Sequence, residues 1–267
     1  MRYRIFTVML FLLSFIASIS FASNAEELAK ATQNPVSDLI SVPFQNNIEF
    51  RVGPYKKTQN ILNIQPVWPF RLNNRWNIIT RTIFPLISRP AFYSTENRTF
   101  GLGDTLFTAF LSPKKPGAFI WGLGPAILIP TATDKTLGSE KWGLGPSAVV
   151  LSMQGSWVYG ALINNLWSFA GNYSKDPINL FTLQPFINYN FNSGLYLTSS
   201  PIITANWKAD PSSNRWVVPI GGGIGKIFKL GNLPINAQIQ GFYHIIRSEL
   251  GAHWSLRLQL QLLFPKT

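Results

Sequence analysis

Residues 254–264, WSLRLQLQLLF, alternate apolar and polar side chains along nearly their whole length. Trp254, Leu256, Leu258, Leu260, Leu262 and Phe264 share one phase, and Ser255, Arg257, Gln259 and Gln261 the other. Period two defines a β-strand with unlike faces, because successive side chains on a strand point to opposite sides. A wholly apolar face bracketed by aromatics suits a strand that crosses a bilayer, which takes about 9–11 residues. Strands of soluble sandwiches and lipocalin-like barrels alternate too, so one strand alone does not separate the two settings.

The start of the chain narrows the choice. Arg2 and Arg4, the apolar run from Ile5 to Ile19 and the small residues of Ser20-Phe21-Ala22 read as a secretory signal over residues 1–22. No later run is long enough for a membrane helix, so a membrane would have to be crossed by strands. Only 13% of residues are charged, about half the usual share, which suits a surface facing lipid. Removing the signal leaves 21 cations against 11 carboxylates. Many of these cations sit in inferred turns and loops, where anionic headgroups account for them, and an exported chain argues against nucleic acid as partner. The absence of cysteine excludes disulfide frameworks and thiolate metal sites. No cofactor or metal is expected.

Residues 23–46 read as a periplasmic N-terminal segment with a short helix over 24–34 that ends at Pro35 and lies in the periplasm or in the barrel mouth. From Asn47 to the end, about twelve stretches alternate in the manner of residues 254–264. Their links alternate as well. Tight links fall at Asn73-Asn74, Pro113 to Gly117, Gln154-Gly155, Asn192 to Gly194 and Gly231-Asn232. Longer polar links fall between them, at Ser88 to Phe100, Thr131 to Lys141, Ala170 to Asp176, Lys208 to Asn214 and Arg247 to Ala252. Short periplasmic turns with long outer loops are the mark of an outer-membrane meander. Trp121, Trp157, Tyr189, Phe228 and Phe264 then fall at one set of strand ends and Trp142, Trp207, Trp216 and Trp254 at the other, forming two girdles. The expected fold is all-β, a transmembrane up-and-down antiparallel barrel of about twelve strands over residues 47–267. Its partners are outer-membrane lipid, the barrel assembly machinery through the C-terminal strand, and a small-molecule solute. Pro66, Pro125, Pro146, Pro185, Pro201 and Pro219 lie inside inferred strands, where bulges are expected.

Several segments resemble a known family: KWGLGPSAVVL at 141–151, NNLWSFAG at 164–171, LTSSPIITANW at 197–207, VPIGGGIGK at 218–226 and QLQLLFPK at 259–266. They are similar to bacterial outer-membrane proteins named for the MetA pathway of phenol degradation, some of which carry the label neuromedin U. The resemblance implies a secreted β-barrel in the outer membrane of a Gram-negative bacterium, acting as a transporter or channel. It implies no catalytic residues.

The run Gly221 to Lys226 lacks the spacing and the hydroxyl residue of a phosphate loop. Gly122, Gly124, Gly143 and Gly145 make a bare patch of lumen wall, which widens the passage, receives an inserted segment or bends the strands. Of the two histidines, His244 reads as a polar lumen residue. His253-Trp254-Ser255 offers a serine beside a base without an obvious third member. Glu49, Arg51, Arg81, Asp104 and Arg257 are charges in the inward phase of their strands. They form either a salt-bridge network in the wall or a selectivity patch. The expected function is a channel passing small organic molecules, aromatic or anionic, into the periplasm. A lipid-acting barrel enzyme and a structural barrel with a plugged lumen are the alternatives. Tags at Lys135 and Lys175 should be reachable from outside intact cells and a tag at Lys115 should not; the reverse labelling would overturn this orientation.

Overall fold

The computed structural model describes residues 25–93, 97–231 and 233–264. The signal assigned to residues 1–22 lies outside the described residues. A short helix, α1, covers residues 25–32. Twelve strands follow: β1 (Ile40–Val52), β2 (Lys57–Ile64, continued by Val67–Arg71), β3 (Trp76–Arg89), β4 (Thr99–Leu102, continued by Thr105–Pro113), β5 (Ile120–Ile129), β6 (Lys141–Gln154), β7 (Trp157–Gly171), β8 (Asn179–Asn190), β9 (Leu195–Ser199, continued by Ile203–Asn206), β10 (Trp216–Leu230), β11 (Leu233–Ile246) and β12 (Trp254–Phe264). Each pairs antiparallel with its neighbours in sequence, and β12 pairs with β1 from Ile40↔Phe264 to Phe50↔Trp254. The barrel is closed. β1 starts at Ile40, not at Asn47, because Ser41, Pro43 and Gln45 already alternate inward against Val42 and Phe44.

The alternation on β12 recurs around the ring with the apolar phase outward. Leu123, Leu144, Ile163, Ile187, Ile224 and Leu258 are exposed, while Thr108, Ser147, Asn164, Asn188, Gln240 and Arg257 are buried. That is the reverse of a soluble core, and it is what a lipid-facing wall requires. Aromatics collect at the two rims. Trp76 meets Trp121 edge-on at 5.7 Å and Trp157 meets Tyr189 at 4.8 Å on the short-turn rim. Phe50 stacks on Trp254 at 3.8 Å, and Trp207 meets Trp216 at 5.6 Å, on the long-loop rim.

The in-strand prolines differ from expectation. A register shift accompanies only Pro219 among them. The ladder resumes in unchanged register on either side of Pro66 and Pro201. Pro125 and Pro146 sit directly opposite each other. Each lacks the N–H that would bond outward, to β4 and β7, so the damage is a local gap in those two ladders. The preceding glycines close the gap: the site of a side chain on Gly124 is taken by the Ala109 carbonyl, and that on Gly145 by the Asn165 carbonyl. The repeated Trp-Gly-Leu-Gly-Pro is thus one device used on two neighbouring strands. Gly145→Val should prevent formation of the heat-resistant folded band on gel electrophoresis, whereas Ala148→Val, on the lipid side of the same strand, should fold normally. Normal folding of Gly145→Val would remove the close-approach role.

Candidate functional site

The lumen is closed beneath by the N-terminal segment. Glu26 and Lys30 pair at 2.7 Å along α1, and Pro35 stops the helix because the residue before a proline leaves the helical region. The Asn34 side chain then accepts from the Val36 N–H at 2.9 Å and turns the chain back. Ala29 and Leu39 pack against Tyr196, Ile227 and Leu263. Val36 enters a second apolar cluster with Ile79, Phe110, Val149, Leu151, Leu162 and Phe186. These wall residues point inward, so the lower lumen is a small dry core. Gly122 leaves the space that Val36 fills, since a β-carbon there would lie 2.9 Å from Val36 Cγ1. Of the roles considered for the bare patch, Gly122 thus has that of receiving an inserted segment, while Gly124 and Gly145 serve a different one, the close approach of a neighbouring strand's carbonyl. Gln33 and Asn190 exchange amide hydrogen bonds of 2.8 and 3.0 Å, fastening the segment to the wall.

Above this floor lies a cavity of about 150 Å³ lined mainly by amides, among them Gln45, Gln65, Gln184, Gln259 and Gln261, together with Arg81. Arg81 reaches in from β3 and donates to the Gln65 side chain. Arg257 comes from β12, donates from Nε to Asn47 at 3.0 Å and from Nη1 to the Ser200 carbonyl at 2.8 Å, and lies 4.8 Å over the Phe242 ring. It thereby ties β12 to β1 and β9. Neither arginine has a carboxylate within 4.0 Å among the described residues. The salt-bridge network considered from sequence is not formed around them.

The other candidate charges are placed differently. Glu49 points inward one layer above Asn47 and accepts from Gln59 Nε2 at 2.8 Å. Arg51 is exposed, because the register shift between Glu49 and Val52 puts it at φ 61° and sends Val52 inward instead. Asp104 sits at the long-loop rim and binds the link between β5 and β6. Its carboxylate accepts from the Ser139 N–H and hydroxyl, both at 2.6 Å, and from the Ala132 N–H at 3.3 Å. At the tip of that link, the N–H and hydroxyl of Thr136 hold the Asp134 carboxyl below the usual range. His244 faces inward, with Nε2 3.2 Å from Ser255 Oγ. The serine beside a histidine is thus His244–Ser255 rather than a pair with His253. His244 Nδ1 is buried without a partner among the described residues, so none of them orients the imidazole as the third group of a hydrolytic triad does. Gln65 and Ser200, which hold Arg81 and Arg257, lie on the polar phase of their strands, but alternation alone does not single them out from the other inward polar residues.

No family model and no curated protein matches this chain. Among solved structures it is similar to the COG4313 outer membrane channel from Pseudomonas putida F1, at 16% identity and TM-score 0.65 over 85% of this chain and 94% of that one. This chain has the fold of an outer-membrane β-barrel. Outer membrane phospholipase A from Escherichia coli matches at 12% identity and TM-score 0.45 over 92% of this chain and 98% of that one. The β domain of the Bordetella autotransporter BrkA matches at 10% and 0.47 over 85% and 100%. At these identities the likeness concerns the fold. With an apolar exterior between two aromatic rims, its place is the outer membrane of a Gram-negative bacterium.

Asp104→Ala should leave the barrel folded but free residues 131–140, so that limited trypsin treatment of the folded protein cuts at Lys135 faster than in wild type. Equal cutting rates would remove the clamp role of Asp104.

Proposed function

We propose that this barrel is a passive channel for small organic solutes entering the periplasm, with the N-terminal segment as the closure of its passage. The observation that carries the reading is the placement of residues 34–37. The amide-lined cavity lies on one side of them, and a second cavity of about 380 Å³, reaching Lys114 and Met153 near the short-turn rim, lies on the other. Asn34 and Ser37 line both. A shift of this short stretch would join the two spaces, while the covalently continuous wall need not open. The similarity to an outer membrane channel supports the same reading, as does the family resemblance in the sequence. A closed floor also suits a structural barrel, so conductance separates the two. A lipid-acting enzyme has the His244–Ser255 contact in its favour, but the pair faces the lumen and has no orienting third group among the described residues.

The chain has no cysteine of its own, so a single engineered pair can lock the closure. A β-carbon at Gly122 would lie 2.9 Å from Val36 Cγ1, so Val36→Cys with Gly122→Cys puts two side chains within reach of a disulfide. In planar bilayers the oxidised pair should block ion passage, and a reductant should restore the conductance of the wild-type protein. Absence of conductance from both the reduced pair and the wild type would sink the channel reading. Conductance unaffected by oxidation would refute closure by this segment.

A further inference from the structure

The two lumen arginines carry charge that the wall does not compensate. Arg257 is buried and Arg81 half-buried, and their hydrogen-bond partners Gln65, Asn47 and Ser200 are neutral. Ser200, whose carbonyl Arg257 holds, lines the same cavity as Arg81. Glu49, the inward carboxylate nearest in register, is engaged by Gln59. Cations removed from bulk water are stabilised by an anion in contact, and none is supplied by the described part of the chain.

We propose that Arg81 and Arg257 form a binding site inside the lumen for a small organic monocarboxylate. The sign of the charge calls for an anion, and the planar guanidinium fork of Arg81, which lines the cavity, suits the two oxygens of a carboxylate, with the charge of Arg257 behind Ser200 adding to the attraction. The apolar part of the cavity selects among anions. Val67, Leu162 and Phe186 line the same space as Arg81, a surface that a halide would leave uncovered and that a short hydrocarbon body covers. Size limits that body. About 150 Å³ is the space of roughly five waters at ~30 Å³ each. Gln45, Gln184 and Gln259 offer amide N–H groups to the remaining carboxylate lone pairs. As a step in transport this site rests on the channel reading; as a binding site it stands separately.

The test is equilibrium dialysis of labelled butyrate and benzoate against the folded mature chain in zwitterionic detergent, with sodium chloride as competitor. Wild type should bind one carboxylate per chain, at least tenfold more tightly than chloride. Arg81→Gln and Arg257→Gln should each weaken binding at least tenfold while keeping the heat-resistant fold. Should either fail to fold, Arg81→Lys keeps the charge but removes the fork, and it should still weaken carboxylate binding severalfold. No binding above that of detergent alone, equal affinity for chloride, or unchanged affinity in folded variants would overturn the proposal. Bilayer conductance of the same preparations keeps the two readings apart: conductance without carboxylate binding removes the site and leaves the channel, and binding without conductance does the reverse.

Discussion

The pairing of β1 with β12 is the contact on which the rest of the structure depends. An open sheet in a bilayer would expose two rows of N–H and C=O groups to hydrocarbon, each costing several kcal/mol. Ladder bonds from Ile40↔Phe264 to Phe50↔Trp254 remove both edges at once. The partners are the first and last strands of the chain, so closure brings together segments more than 200 residues apart, as the Gln261–Ser41 hydrogen bond does with a separation of 220. Closure also converts the alternation of each strand into an inside and an outside. Arg257 and Gln259 face the interior only because the ring is complete.

Once closed, the barrel has an interior to fill, and it does so in two ways. The lower part is dry. Val36 and Ala29 meet inward-pointing Phe110, Leu162, Tyr196 and Ile227, giving the N-terminal segment an apolar seat that a short isolated helix needs, since α1 alone is too short to be stable. The upper part is polar and lined by amides. The amides matter because Gln and Asn can both donate and accept. They hold Arg81 and Arg257 in position without neutralising them, which a carboxylate in their place would do.

Prolines and glycines show how a closed ladder tolerates residues that usually belong at edges. Pro125 and Pro146 face each other on the pair β5–β6, so the hydrogen bonds each cannot donate are lost to the outer neighbours of that pair. Gly124 and Gly145 let the adjacent carbonyls move in beside them. The lapse stays local and the register on both sides is preserved. The consequence reaches the lumen, because Gly122 in the same pattern leaves room for Val36 and so for the floor.

The number of strands, the alternation of short and long links and the lipid face of most strands are legible in the chain itself, while residues 157–169, apolar in both phases, leave their face to the structure. Period two and turn chemistry are local, and an apolar exterior leaves them unmasked by a soluble core. Arg81 and Arg257 are likewise assigned to the interior by phase alone. Alternation determines a side, however, not a depth or a partner across the lumen. That Arg81 meets Gln65 and Arg257 reaches Ser200, 57 residues away, follows from closure and stagger. A shift of register displaces Arg51, and the hydrogen-bonding demand of a loop retains Asp104 at the rim. The seat of residues 25–39 was decided by tertiary structure for the same reason: their apolar groups are too few to form a core alone, and the inward faces of strands distant in sequence supply the rest.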